Sequence, residues 1–236
     1  MTDKARPMPS LRWLLPSFLA LAPMAALAAQ PAVAAKPQGA KAAPGDGPQG
    51  IANLNPIALE YGVNTLDNFA PDGRTAIVIR AWRDNGNAWG HATYMVMMKP
   101  AGGDRHGWNL VSVEAETPPG VAEIVRDSPH TFEDAVRSVI FAHGTVEGKP
   151  QTLLLIATRK IGDSVPDPAP TTIAVYQLTA NAQDDDPVGT TADTFRRIRN
   201  WQTKKPYCSS DAALATELHI PRPADSEAPE TADGCS

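Results

Sequence analysis

The sequence predicts a mostly β protein, a β-sandwich of antiparallel strands with a short C-terminal helix. Short runs rich in β-branched and aromatic residues recur along the chain, and clusters of Gly, Pro, Asn and Asp separate them. A segment near the C-terminus instead has the composition and the flanking residues of a helix. Several short strands divided by turns at such spacing are typical of a sandwich.

The first 28 residues have the three parts of a secretory signal peptide. The basic residues that open it are Lys4, Arg6 and Arg12. Residues 13–27 are mainly apolar, and their length of about 15 is short of the roughly 20 that a membrane span needs. Residues 26–28 supply the small side chains that signal peptidase reads, and residues 32–34 repeat them. We therefore expect cleavage after Ala28 or Ala34, a periplasmic or secreted location, and no stable membrane anchor.

The rest of the chain predicts one domain between two low-complexity ends. Residues 29–50 are dominated by Ala, Pro, Gly and Gln and predict a disordered linker, and residues 221–236 predict a disordered acidic tail. Residues 51–220 suffice for a single β-sandwich domain with its own core. The formal net charge is −5 at pH 7 and the basic cluster at residues 196–205 is short, so we expect no nucleic-acid partner.

The first strands of the domain follow from composition and turn residues. Residues 75–82 and 88–98 predict two strands joined by the turn cluster at residues 84–87. One face of the second strand carries Ala92, Tyr94, Val96 and Met98. The other face is also largely apolar after Thr93, as expected for a strand buried on both sides in a sandwich. Residues 108–115 predict the next strand.

The second half predicts a long hairpin, a further strand and the helix. Its strands are expected at residues 135–141, 152–158 and 171–179. Residues 147–149 form the hairpin turn, and residues 194–201 fit either a helix or a strand. Ser209 or Ser210 can cap a helix over residues 212–218, which Pro221 ends.

No local motif assigns catalysis, a metal site or a cofactor. The histidines are His91, His106, His130, His143 and His219. None has the close spacing of a zinc site. The sequence also lacks the G-x-S-x-G and S-x-x-K nucleophile motifs and a glycine-rich phosphate loop. We therefore name no catalytic or metal-binding residue and expect no cofactor.

One hairpin concentrates the residue types that dominate binding sites. Its candidate ligand-binding residues are Arg80, Trp82, Arg83, Asn85, Asn87, Trp89 and His91. Trp and Arg are enriched at binding hot spots, and an arginine can clamp a carboxylate. The alternative is structural: Trp82 and Tyr94 are then core aromatics, and Asn85 with Gly86 forms only the turn.

The two cysteines, Cys208 and Cys235, are expected to form a disulfide. An even count in an exported chain favours pairing, because that compartment is oxidising. The bridge would attach the tail to the domain just before the helix. Its loop-closure contribution is at most about 3–4 kcal/mol.

Several segments in a fixed order resemble one known family. They are residues 76–91, residues 159–164 followed by 171–178, and residues 203–218. Over residues 74–220 the chain is similar to the periplasmic carbapenem intrinsic-resistance proteins. The resemblance implies a small, exported, mostly β protein that protects without hydrolysing the drug. Relatives often carry a further mid-domain cysteine that residues 129–136 lack, so no site residue is transferred.

The leading functional hypothesis is therefore an exported, non-enzymatic binding or protective protein with a β-lactam-like small-molecule ligand. A first alternative is a secreted β-sandwich that binds another protein or an envelope component. A second alternative is a hydrolase whose site is assembled in space from distant residues. A concave pocket at the hairpin favours the small ligand, and a flat aromatic surface favours a protein partner.

Export predicts that the mature protein lacks its first residues. Intact-mass measurement of protein from the periplasmic fraction should show a chain that begins after Ala28 or Ala34, because these positions follow small-residue triplets. Retention of Met1 in that fraction would contradict the hypothesis.

Overall fold

The computed structural model describes residues 47–87, 89–102, 107–117, 120–128, 135–181, 191–223, 226 and 231–235. These ranges contain strands β1 (Ile51–Pro56), β2 (Gly62–Leu66), β3 (Ala76–Arg83), β4 (His91–Met98), β5 (Asn109–Glu114), β6 (Val121–Ala122), β7 (Ile124–Arg126), β8 (Arg137–Val146), β9 (Lys149–Arg159), β10 (Ala169–Ala180) and β11 (Asp193–Tyr207), and helix α1 (Ser210–Leu218). The predicted mostly β class with a short C-terminal helix is confirmed. The predicted signal peptide and linker residues 29–46 lie outside the described residues.

The predicted β-sandwich is corrected by the sheet topology. The strands form one curled sheet, a half-barrel, in the order β1-β8-β9-β10-β11-β5-β4-β3-β2, with β6 beside β5 and β7 beside β4. Neighbours pair antiparallel except β11 and β5, which are parallel over Asp193–Phe195 and Val111–Val113. Because β5 also pairs with β4 at its other end, the two antiparallel halves are continuous.

An ion pair holds the parallel junction in register. Arg74 donates to both carboxylate oxygens of Asp193 at 2.8 Å, and Asp193 is the first residue of β11. The hydrogen bond to Asp193 raises the pKa of Arg74 above its ordinary value. Beside it, the hydroxyls of Ser112 and Thr194 lie 2.9 Å apart. The connection between β2 and β3 is thereby tied to the start of β11.

The sheet buries apolar residues on both of its faces. The concave face holds an aromatic group in mutual contact, Phe69, Tyr94, Phe141 and Phe195, with ring centroids 5.8–6.5 Å apart. The convex face of β8–β10 is covered by α1, through Leu214 and Leu218. Strand β9 therefore has Leu154 and Ile156 inside the curl and Leu153 and Leu155 under the helix. Burial on both faces comes from one sheet and a helix, not from two facing sheets.

The described elements confirm most of the expected ones. Strands β3, β4, β5, β8, β9 and β10 lie where the sequence predicts them, and the undecided residues 194–201 belong to β11. Ser209 is the N-cap of α1, and its hydroxyl accepts from the amide of Asp211 at 3.2 Å. Strands β1 and β2 were not predicted, because they are the exposed edges of the sheet and lack an apolar run.

The described end of the tail lies against the helix. The sulfur atoms of Cys208 and Cys235 are 2.07 Å apart, a disulfide distance. The Cys208 amide donates to the Asp233 carbonyl at 2.9 Å, and the Thr216 hydroxyl donates to the Ala232 carbonyl at 2.7 Å. Gly234 has a φ of 73°, and a Cβ there would lie 2.8 Å from that of Ser209. No helix in the described part of the chain is long and apolar enough to cross a membrane.

The junction ion pair predicts unequal effects of two matched substitutions. Asp193→Asn should lower the free energy of unfolding by about 2–4 kcal/mol, because Arg74 then loses its buried carboxylate partner. Asp72→Asn should cost less than about 1 kcal/mol, since Asp72 contacts the same guanidinium from a half-exposed position. Urea unfolding of both variants measures the difference. Equal losses would show that the junction does not depend on this pair.

The disulfide predicts a modest loss of stability in Cys235→Ser. The unfolding temperature should fall, by an amount equivalent to at most about 3–4 kcal/mol, and the β domain should stay folded. Thiol titration under denaturing, non-reducing conditions should find no free thiol in the wild type and one in the variant. Two free thiols in periplasmic wild-type protein would reject the bridge.

Candidate functional site

A cavity of about 490 Å³ lies along the open edge of the half-barrel, and we call it the mouth cavity. Its walls are the connection between β1 and β2, strands β3 and β4, residues 138–141 of β8, and the segment after α1. In the described part of the chain, strand β1 pairs with β8 over Ala142–Val146, and residues 138–141 of β8 line the cavity beside this pairing.

Arg80 projects into this cavity because of the strand period. On β3, Ala76 and Val78 are buried inside the curl, and Arg80 lies two residues further on the same face. Its guanidinium carbon is 4.2 Å from the centroid of the Tyr61 ring and 5.9 Å from that of Tyr94. Its Nη1 donates to the Leu59 carbonyl at 2.9 Å. A fixed positive charge thus lies between two aromatic rings on the cavity wall.

Asp127 anchors the back of the mouth cavity. It is 4% exposed, and its carboxylate accepts from the Ala92 amide at 2.7 Å and from the Tyr94 hydroxyl at 3.4 Å. The next residue, Ser128, forms an isolated antiparallel bridge with Arg137 of β8. The start of β4 is therefore fixed to β8 across the opening of the half-barrel.

Ser138 and Asp211 form the wall nearest to α1. The Ser138 hydroxyl lies 2.6 Å from that of Ser210 and also donates to the Asp211 carboxylate. All three side chains are buried. These contacts tie the first turn of α1 to β8.

The predicted hairpin residues divide between the cavity and the turn. Arg80 lines the mouth cavity. Trp82 packs edge-on against Tyr61, with ring centroids 6.4 Å apart, and is 48% exposed. A Cβ on Gly90 would lie 2.4 Å from the Trp82 ring, so glycine permits this packing. Trp82 thereby extends the aromatic wall outward from the cavity.

The remaining predicted residues are not part of the cavity. Asn85 donates to the Trp89 carbonyl at 2.6 Å, and Asn87 accepts from the Trp89 amide at 2.9 Å, so both asparagines close the turn. Trp89 is 53% exposed. Arg83 is exposed and lies opposite His91 in the β3–β4 ladder. The structure therefore places Arg80 and Trp82 against the same residue, Tyr61. Of the other five residues, His91 is half-buried and the rest are exposed.

Several cavity residues had no signal in the sequence. Tyr61 follows a strand that was not predicted, and Asp127 follows the short β7. Tyr94 was expected as a core aromatic and is one, although its hydroxyl also faces the cavity wall. Nothing in the spacing of Tyr61, Arg80 and Asp127 indicates that they meet.

A second cavity has a volume of about 430 Å³, and we call it the inner cavity. It is lined by β5, β6 and β7 on one side and by β8, β9 and β10 on the other, and Asp127 borders both cavities. Tyr176 of β10 is fully buried there, and this burial, followed by the charge of Glu116, raises its pKa to about 12. Within the described ranges, no three His, Cys, Asp or Glu side chains are grouped as a metal site.

Comparison with known proteins identifies a similar fold. The structure resembles the crystal structure of CarG with a TM-score of 0.53 and 18% sequence identity, over 68% of this chain and 94% of that chain. No family model matches the sequence, and no curated protein matches it. At this identity the likeness concerns the fold alone.

Proposed function

We propose that this chain is an exported, non-enzymatic binding protein that holds a small carboxylate-bearing molecule, such as a β-lactam, in the mouth cavity. The observation that carries the proposal is the Arg80 guanidinium between Tyr61 and Tyr94 on the wall of a cavity of about 490 Å³. A cavity of this size is within the range of small-molecule sites.

The walls of the mouth cavity suit a compact carboxylate. An arginine and phenol hydroxyls are the groups that recognise a carboxylate through charge-assisted hydrogen bonds. The apolar side chains beside them, Ile57, Leu59 and Phe141, would cover the body of the ligand. A β-lactam antibiotic such as meropenem carries a carboxylate on a compact bicyclic ring system.

Binding without hydrolysis fits the polar groups of this cavity. The Ser138 hydroxyl is engaged with Ser210 and Asp211, both at the start of α1. Its role on this account is to fix the helix, not to attack an acyl group. A protective role is what the resemblance of residues 74–220 to carbapenem intrinsic-resistance proteins implies, and the likeness of the fold to CarG agrees with that resemblance. The cysteine pair supports export.

A second candidate function is contact with another protein or an envelope component. It is favoured by the exposed apolar side chains beside the cavity, Tyr61, Val63, Trp82 and Trp89. Aromatic residues of this kind are common at protein interfaces. A photo-crosslinking residue at position 89 would form a specific adduct with an envelope protein in living cells if this function were the correct one.

The proposal predicts that Arg80, and not Arg83, determines ligand affinity. Isothermal titration of the mature protein with meropenem should detect binding, and Arg80→Gln should weaken it by about tenfold or more, because a hydrogen bond to a charged group contributes about 1.5–3 kcal/mol. Arg83→Gln removes the same group from the same strand outside the cavity and should leave the affinity unchanged.

The same samples test the non-enzymatic part of the proposal. Chromatography after prolonged incubation should recover intact meropenem. Ring opening in proportion to protein concentration would instead support a hydrolase. Equal weakening by both arginine variants, or no binding in the wild type, would reject the mouth cavity as the site for this ligand.

A further inference from the structure

We propose that the inner cavity is a second ligand site, which takes a small zwitterion with an apolar body, of the α-amino acid class, with the Tyr176 hydroxyl as its deepest polar contact. This inference goes beyond the function of the mouth cavity and does not depend on it.

The first observation is the state of the Tyr176 hydroxyl. The side chain lies inside the curl, is 0% exposed, and its oxygen has no hydrogen-bond partner among the described residues. Buried polar groups in folded proteins are almost always hydrogen-bonded, because leaving one unsatisfied is unfavourable. Tyr176 lines the inner cavity, so a ligand oxygen there can supply the partner.

The second observation is the balance of charge around that hydroxyl. Glu116 pairs with Arg137, and Glu114 accepts from the Arg197 amide at 3.0 Å while lying 3.9 Å from its guanidinium. These two carboxylates and two guanidiniums act on the Tyr176 hydroxyl and balance one another. Arg126 and Asp127 add a further pair of opposite charges to the lining of the cavity. A ligand with a single charge would be repelled by the like-charged member of each ion pair. A zwitterion offers its ammonium to the carboxylates and its carboxylate to the guanidiniums.

The third observation is the apolar surface of the inner cavity. Val113, Val125 and Ile156 contribute from three different strands, and Ile124 lies at the rim with 55% exposure. This surface would cover an aliphatic side chain. A cavity of about 430 Å³ has room for a single small molecule of this class.

The protonation state of Tyr176 agrees with a ligand whose carboxylate faces the Tyr176 hydroxyl. The phenol is neutral at pH 7 like an ordinary tyrosine, burial raises its pKa further to about 12, and it can donate its proton in a hydrogen bond. The carboxylate of the zwitterion is the acceptor that it would meet. The Asp127 carboxylate separates the two cavities and is already bound to the Ala92 amide and the Tyr94 hydroxyl. The two sites should therefore bind independently.

The test uses three probes with one apolar body and different charges. Isothermal titration of the mature protein with L-leucine should give an affinity at least about tenfold higher than with N-acetyl-L-leucine, a single anion, or L-leucinamide, a single cation. Binding of all three with equal affinity, or no L-leucine binding up to millimolar concentration, would overturn the proposal.

Two matched tyrosine variants locate the site. Tyr176→Phe removes only the unpartnered oxygen, so it should keep or raise the unfolding temperature and weaken L-leucine binding by about tenfold. Tyr207 is equally buried, but its hydroxyl donates to Glu217 at 2.8 Å outside the inner cavity. Tyr207→Phe should lower the unfolding temperature and leave L-leucine binding unchanged. Arg80→Gln should also leave L-leucine binding unchanged. Unchanged affinity in Tyr176→Phe would place the ligand elsewhere and reject the site.

Discussion

The parallel pairing of β11 with β5 is the constraint on which the rest of the structure depends. Three residue pairs join the two antiparallel halves, and the Arg74–Asp193 ion pair fixes where β11 begins. Both cavities lie between side chains of the two halves, with β3, β4 or β5–β7 on one side and β8–β10 on the other. A change in this register would move Arg80 relative to β8, and Val113 relative to Tyr176.

The strands were largely predictable, and their arrangement was not. Local composition located β3, β4, β8, β9 and β10, because each has an apolar or β-branched run between turn residues. The apolar run at residues 152–158 predicted a strand, and the structure buries that strand on both faces, inside the curl and under the helix. The sandwich was wrong because α1, nine residues long, covers the outer face. Edge strands β1 and β2 have few apolar residues, because most of their side chains are exposed or half-buried at the edges of the sheet.

Only those residues of the candidate site that have a characteristic side chain and lie in one short segment of the sequence could be predicted. Arg80 and Trp82 were identified by residue type, and the strand period explains why both face the open side of the curl. Asn85 closes the turn, as the structural alternative expected, and Asn87 of the predicted turn cluster does so as well. Tyr61 and Asp127 come from distant segments that meet only after the half-barrel forms. The Tyr176 hydroxyl, which has no hydrogen-bond partner among the described residues, is a consequence of packing that the spacing of residues in the sequence does not reveal.

The central claim is that an open half-barrel presents an arginine between two tyrosines as a receptor for a small carboxylate. A crystal structure of the mature protein grown with saturating meropenem tests this most directly. The account predicts ligand density in the mouth cavity, with the carboxylate beside Arg80 and the ring system against Ile57 and Leu59. Density for the intact drug at any other place, with the mouth cavity empty, would contradict it.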